Sequence, residues 1–165
     1  MTLDEFNALP ADSAAARLRP CVAIPAWVEA VVTGRPYASH AALLAAAREA
    51  ADGWQAAEVE QALASHPRIG ERAAGAAEEA AHSRREQAGV DVGQPALAAA
   101  LLAGNRAYEQ RFGRVFLVRA KGRDAHQILA LLHQRLTHSP AQELAETTEQ
   151  LRQITLLRLE EQITP

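Results

Sequence analysis

A histidine with the properties of an acid–base catalyst stands at a break between two helical segments. His66 comes directly before Pro67, and proline disfavours helical backbone angles in the residue before it. An imidazole has an ordinary pKa of about 6.5, so it exchanges protons near neutral pH more readily than other side chains. His66 is therefore a candidate general acid or base, with Pro67 fixing the backbone that aims its ring. A solvated surface histidine and a buried structural one are the alternatives.

The following helical segment carries three polar residues on one face. Residues three and four apart lie on the same side of a helix, and Ser83, Glu86 and Gln87 have that spacing. A hydroxyl, a carboxylate and an amide suit a small ligand rich in N–H and C=O groups. Glu86 within reach of His66 would fix the imidazole tautomer or raise its pKa. The alternative is an ordinary solvated face, since two arginines stand between these residues.

Three further polar residues fall on apolar helix faces. Asn105 lies on a stripe of leucines and aromatic residues, and a buried asparagine needs hydrogen-bond partners. We expect it to hold a neighbouring loop. Arg135 and Arg158 point inward by their spacing from buried aliphatic residues, so each pairs with an internal carboxylate or meets a polar ligand. Two buried guanidiniums are costly in a small protein, and we expect one of them to serve a site.

These residues are positioned by an all-α fold. The hydrophobic periodicity predicts one domain over residues 1–165, built as a bundle of about eight or nine helices. The expected helices cover residues 2–8, 12–19, 25–32, 40–51 after a Ser39 N-cap, 54–65, 78–88, 95–112, 124–137 and 140–162. Residues 70–77 are expected to form a loop. Residues 115–118 resemble a strand but lack a partner, so we expect an extended segment there.

Composition excludes several classes of function. The 17 basic and 20 acidic residues are intermixed and give a net charge of −3, which argues against a nucleic-acid surface. No apolar run approaches the ~20 residues of a membrane span, and the amino terminus lacks the features of a signal peptide. The single cysteine, Cys21, favours a reducing, cytoplasmic location. No metal-binding, dinucleotide-binding or Walker A motif is present, so we expect chemistry without a metal or a cofactor.

Over nearly its whole length the chain resembles 2-oxo-4-hydroxy-4-carboxy-5-ureidoimidazoline (OHCU) decarboxylases. The two most specific motifs are HPRIG at residues 66–70 and SRREQAG at residues 83–89. The other matching positions are Phe6-Asn7, Cys21, Trp27, Arg35-Pro36-Tyr37, residues 105–113, Phe116, Arg135-Leu136, Glu143-Leu144, Ile154 and Arg158-Leu159. One departure is Val115, where the family often has proline. We expect this difference to alter the path of the backbone that follows, around Leu117 and Val118.

The resemblance implies a helical enzyme, usually a homodimer, that converts OHCU to (S)-allantoin and CO2 without a cofactor in urate breakdown. It implies that His66 is the catalytic acid–base and that Glu86 and Gln87 hold the ring or ureido group of the substrate. Our own hypothesis is that Glu86 also steers His66 and so takes part in catalysis. The substrate-binding residues that it implies are Pro67, Ser83, Gln87, Leu117 and Val118 (through their backbones) and Arg158. Two other functions stay open: a helical relative that acts on or binds another small ureido or imidazole compound, and an interaction module without catalysis.

Overall fold

The computed structural model describes residues 1–69 and 78–165, with the side chains of residues 78–80 left aside. The loop expected at residues 70–77 lies outside the described residues. Those residues contain nine α-helices, one 3-10 turn at Arg19–Cys21 and no strand, so the all-α prediction is confirmed. The helices are α1 Leu3–Ala8, α2 Ala11–Leu18, α3 Pro25–Thr33, α4 His40–Asp52, α5 Ala56–Leu63, α6 Glu78–Glu86, α7 Pro95–Phe112, α8 Ala125–Arg135 and α9 Pro140–Gln162.

The helix ends follow local sequence signals. The Ser39 hydroxyl accepts a hydrogen bond from the Ala42 N–H at 3.1 Å, which confirms Ser39 as the N-cap of α4. Asp124 caps α8 in a reciprocal capping box with Gln127. Gly113 ends α7 with a φ of +71°, a left-handed conformation that glycine adopts without steric cost.

Helix α5 is shorter than the sequence pattern predicts. It was expected over residues 54–65 and covers Ala56–Leu63. At its amino end the Gln55 N–H donates to the Glu58 carboxylate at 3.0 Å, so the first turn begins later. At its carboxyl end the His66 N–H donates to the Leu63 carbonyl at 3.0 Å, which closes a turn ahead of Pro67. The chain therefore leaves the helix before it reaches His66.

The contacts divide the chain into two compact units. The first comprises Met1–Ala62 and Arg152–Pro165. Its core includes Phe6, Trp27 and Leu43, and the Trp27 indole donates to the Ala47 carbonyl at 2.9 Å. A single domain spanning residues 1–165 stays a prediction. None of the helices in the described ranges has the length and apolar character needed to cross a membrane.

The second unit is Leu63–Leu151 and has a core formed largely by α7, α8 and the segment between them. Tyr108, Ile128 and Leu132 are fully buried there. Helices α7 and α8 approach closely at Gly104, where a Cβ atom would lie 2.4 Å from the Leu132 side chain. Glycine at this position lets the two helices pack closely, because any larger residue would force the buried Leu132 side chain to shift.

Candidate active site

Helix α7 holds the segment that carries His66. The Asn105 side chain, 4% exposed, donates from Nδ2 to the Ile69 carbonyl at 3.1 Å. One turn later the Glu109 carboxylate accepts from Nε and Nη2 of Arg68, at 2.6 and 3.3 Å. These two contacts fix the chain directly after His66 and Pro67. The prediction that Asn105 holds a neighbouring loop is confirmed.

We expect the two contacts to differ in strength. Asn105→Ala leaves the Ile69 carbonyl without its buried donor, which should lower the free energy of unfolding by about 1–3 kcal/mol. Glu109→Gln weakens an ion pair whose Arg68 side chain is 48% exposed, and such pairs contribute about 0–1 kcal/mol. Urea denaturation of both variants measures the difference. Equal losses of stability would contradict this ranking.

His66 lies partly shielded from water at the turn after α5. The residue as a whole is half-buried, and its Nε2 atom is buried. Pro67 beside it is also half-buried. The acid–base role of His66 stays a prediction.

Helix α6 presents the second group of predicted site residues. Ser83 is 3% exposed, so the interpretation of this face as an ordinary solvated surface is wrong at that position. Glu86 ends the helix and Gln87 follows it, both half-buried, and the Gln87 N–H donates to the Ser83 carbonyl at 3.2 Å. Arg85, between them, is exposed. A contact between Glu86 and His66 stays a prediction.

The segment between α7 and α8 is buried but has no regular secondary structure. Phe116, Leu117 and Val118 are between 1% and 4% exposed, and residues 115–120 form no strand, as predicted. The Leu117 carbonyl accepts a hydrogen bond from Arg135, and the Arg119 N–H donates to the Gln150 side chain at 2.8 Å. Val118 lies between these two contacts and makes no hydrogen bond to the described part of the chain.

Arg135 is the centre of a buried polar network. Its Nε and Nη2 donate to Oε1 of Glu143 at 2.7 and 2.5 Å, and its Nη1 donates to the Leu117 carbonyl at 2.5 Å. The Tyr108 hydroxyl donates to the same Glu143 oxygen at 2.6 Å. Of the two roles left open for Arg135, pairing with an internal carboxylate is therefore the one observed.

The pKa values of this network reflect burial and these hydrogen bonds. Burial, together with the hydrogen bond donated to Glu143, raises the pKa of Tyr108 to about 12. Burial also raises the pKa of the Glu143 carboxyl, but hydrogen bonds from Arg135 and Tyr108 outweigh it, so the pKa lies below its usual value. At neutral pH the network therefore contains a neutral phenol and a paired carboxylate.

Arg158 lies in the other unit. It is 1% exposed on α9, so its predicted inward orientation is confirmed, and its Nη1 donates to the Pro20 carbonyl at 3.3 Å. The remaining seven predicted site residues all belong to the unit Leu63–Leu151. They are His66, Pro67, Ser83, Glu86, Gln87, Leu117 and Val118. A substrate contact from Arg158 stays a prediction.

Two contacts to the buried segment were not foreseen from sequence. Arg135 was identified as inward by its spacing, but its bond to the Leu117 carbonyl joins residues 18 positions apart. Gln150 was not singled out, since a glutamine on a helix is usually solvated. Gln150 lies seven residues after Glu143 on α9, so the two residues share one helix face. That spacing was the signal in the sequence that could have identified Gln150 as inward-facing.

A family model described as OHCU decarboxylase matches residues 7–160. This chain belongs to the OHCU decarboxylase family. The match spans both compact units and includes every predicted site residue, Arg158 among them.

Two curated OHCU decarboxylases resemble the chain closely enough to align over most of its length. The 2-oxo-4-hydroxy-4-carboxy-5-ureidoimidazoline decarboxylase of Amia calva is 33% identical over 139 residues, which cover 83% of this chain and 79% of that protein. The protein of the same name from Haloferax volcanii is 26% identical over 165 residues, which cover 99% and 97% of the two chains. Family membership thus rests on the whole chain and not on one motif.

Solved structures share the fold. A crystal structure of OHCU decarboxylase in the presence of (S)-allantoin superposes with a TM-score of 0.70 at 22% identity, covering 87% of this chain and 94% of that one. A crystal structure of (S)-allantoin synthase gives a TM-score of 0.75 at 20% identity, covering 99% of this chain and 54% of that one. At these identities the likeness concerns the helical architecture alone.

Proposed function

We propose that this protein is a carbon–carbon lyase that converts OHCU to (S)-allantoin and CO2 in urate degradation. The match of the OHCU decarboxylase family model to residues 7–160 carries the proposal. The second unit supports it, since a half-buried histidine, a buried serine and buried backbone groups with unused hydrogen-bonding capacity belong to one compact body. An interaction module without catalysis has no need of such groups.

His66 acts as the acid–base residue in this proposal. Glu86 orients the imidazole and stabilises its protonated form. Pro67 lines the pocket, and Ser83 and Gln87 bind the ring or ureido groups of the substrate by hydrogen bonds. The backbones of Leu117 and Val118 contact the same substrate. Arg158 is assigned to substrate binding on the resemblance alone.

The proposed reaction needs only proton transfer and an internal electron sink. The bond between the ring carbon and the carboxylate breaks, CO2 leaves, and the electron pair forms a C=C bond to the adjacent ring carbon, while the nitrogen of the former C=N bond takes up a proton from water. His66 takes the proton of the substrate hydroxyl, which becomes the ring carbonyl, and a proton is added to the adjacent carbon. Addition from one face of the planar intermediate gives a single enantiomer. Acid–base help of this kind contributes roughly 10²–10⁴-fold to the rate.

Other parts of the proposal come from family resemblance. We assign the protein as a cytoplasmic homodimer that works without a cofactor or a metal ion. Its partner is the small-molecule substrate, with no nucleic acid and no membrane involved. Sedimentation of the purified protein tests the dimer, and activity after exhaustive chelation and dialysis tests the independence from a cofactor.

The central experiment follows the chirality of the product. OHCU formed in situ from urate decays on its own to racemic allantoin, so rate alone is a weaker readout than stereochemistry. We expect added protein to speed the decay and to give a circular dichroism signal of (S)-allantoin. A helical relative with another substrate would leave both the rate and the optical inactivity of the product unchanged.

A further inference from the structure

Two side chains outside the proposed catalytic residues bind the backbone groups of the residues on either side of Val118. Arg135 donates to the carbonyl of the residue before Val118, and Gln150 accepts from the N–H of the residue after it. Both holding side chains are buried, at 3% and 6% exposure. They therefore fix two successive peptide planes.

Fixing those planes decides where the backbone groups of Val118 point. The two peptide bonds that flank Val118 are trans, and in a trans unit the C=O and the N–H point in opposite directions. The Leu117 carbonyl points to Arg135, so the Val118 N–H points away from Arg135. The Arg119 N–H points to Gln150, so the Val118 carbonyl points away from Gln150.

Val118 consequently offers a donor and an acceptor that the described chain does not use. The residue is 3% exposed, and it makes no hydrogen bond to residues 1–69 or 78–165. Buried backbone groups are nearly always paired, and those left unpaired by the protein are satisfied by water or a ligand. One N–H and one C=O on a single residue match the C=O and N–H of a ureido or cyclic amide group.

We propose that Arg135 and Gln150 are positioning residues that aim the Val118 N–H and C=O at the ureido or ring amide group of the substrate. The inference rests on the proposed function, since that function assigns the Val118 backbone to substrate binding. Neither side chain needs to touch the substrate. Glu143 and Thr147 hold the Arg135 guanidinium in place, and these two residues share a face of α9 with Gln150.

Two variants remove one of the hydrogen bonds that hold the peptide groups on either side of Val118. A third variant, the control, removes only a hydrogen bond to Glu143. Gln150→Leu removes the acceptor for the Arg119 N–H at similar side-chain size. Arg135→Lys lacks the planar guanidinium that reaches Glu143 and the Leu117 carbonyl together. The matched control is Tyr108→Phe, which removes the hydroxyl bond to Glu143 but leaves both holding contacts and the aromatic packing on Phe116 intact.

We expect Gln150→Leu and Arg135→Lys to raise the KM for OHCU by about 10- to 100-fold, because misplaced binding groups weaken substrate binding. Tyr108→Phe should keep the wild-type KM. A purely structural role would lower the fraction of folded enzyme, which reduces apparent kcat and leaves KM unchanged. Should Arg135→Lys fail to fold, Gln150→Leu alone decides the question.

A second readout uses (S)-allantoin as the probe. Titration into ¹⁵N-labelled protein should shift the Val118 amide resonance in the wild type and in Tyr108→Phe, and should shift it far less in Gln150→Leu. A wild-type enzyme that is active, with unchanged KM in both releasing variants, overturns this inference alone. A wild-type protein that forms no (S)-allantoin from OHCU overturns the proposed function and this inference with it.

Discussion

His66→Ala should abolish the formation of optically active allantoin while the protein stays folded. In the proposed reaction His66 moves the proton that accompanies loss of CO2, and removing such a group costs roughly 10²–10⁴-fold in rate. At that level the spontaneous, racemic decay of OHCU competes with the enzyme. His66 is half-buried at a turn, so its replacement should leave the helical circular dichroism spectrum unchanged.

The matched control for this variant is His133→Ala. His133 is exposed on α8, so its loss removes an imidazole without touching the proposed site. We expect wild-type rate and stereochemistry from it. An active His66→Ala that still gives an excess of (S)-allantoin would contradict the assigned mechanism, whatever the behaviour of the control.

Glu143→Ala should be the most destabilising substitution in the second unit. Glu143 is fully buried, and its removal leaves the Arg135 guanidinium as an uncompensated charge at 3% exposure. Breaking a buried ion pair from one side costs about 3–5 kcal/mol. The Tyr108 hydroxyl also loses the oxygen that it donates to at 2.6 Å. Urea denaturation followed by circular dichroism measures the effect.

Two further variants show whether the loss of stability in Glu143→Ala comes from the buried ion pair. Glu160→Ala removes an exposed carboxylate from the same helix and should change the free energy of unfolding by no more than about 0.5 kcal/mol. Replacing the pair together, as Arg135→Met with Glu143→Leu, should recover most of the lost stability, because apolar pairs often substitute for buried ion pairs. A loss below about 1 kcal/mol in Glu143→Ala would contradict the structural role assigned to the network.

The helices could be predicted from sequence because their signals are local. Ser39 caps α4 as expected, and α7 has the predicted bounds 95–112, with Pro95 in its first turn and Gly113 directly after its last residue. The end of α5 was placed too late because proline limits only the residue before it. The chain had already turned through the bond from the His66 N–H to the Leu63 carbonyl.

The candidate site was predictable only in part. The sequence predicted which side chains point inward, but their hydrogen-bond partners are distant in the sequence. The spacing of Asn105 showed that it is buried and needs a partner, and the structure supplies the Ile69 carbonyl 36 residues earlier. The spacing of Arg135 likewise predicted that it points inward. Whether it pairs with a carboxylate or binds a ligand could not be predicted, because the answer depends on where Glu143 lies in the fold. Periodicity gives the face of a helix that a residue occupies and carries no information on which distant residue it meets.

The central claim is that this chain is an OHCU decarboxylase that sets the configuration of its product, and one measurement tests it most directly. Urate is oxidised in situ to supply OHCU, and the circular dichroism of allantoin is followed with and without the purified protein. We predict faster decay of OHCU and a signal of (S)-allantoin that grows in proportion to enzyme concentration. Unchanged decay with optically inactive allantoin, from a protein that is folded by its helical spectrum, would contradict the claim.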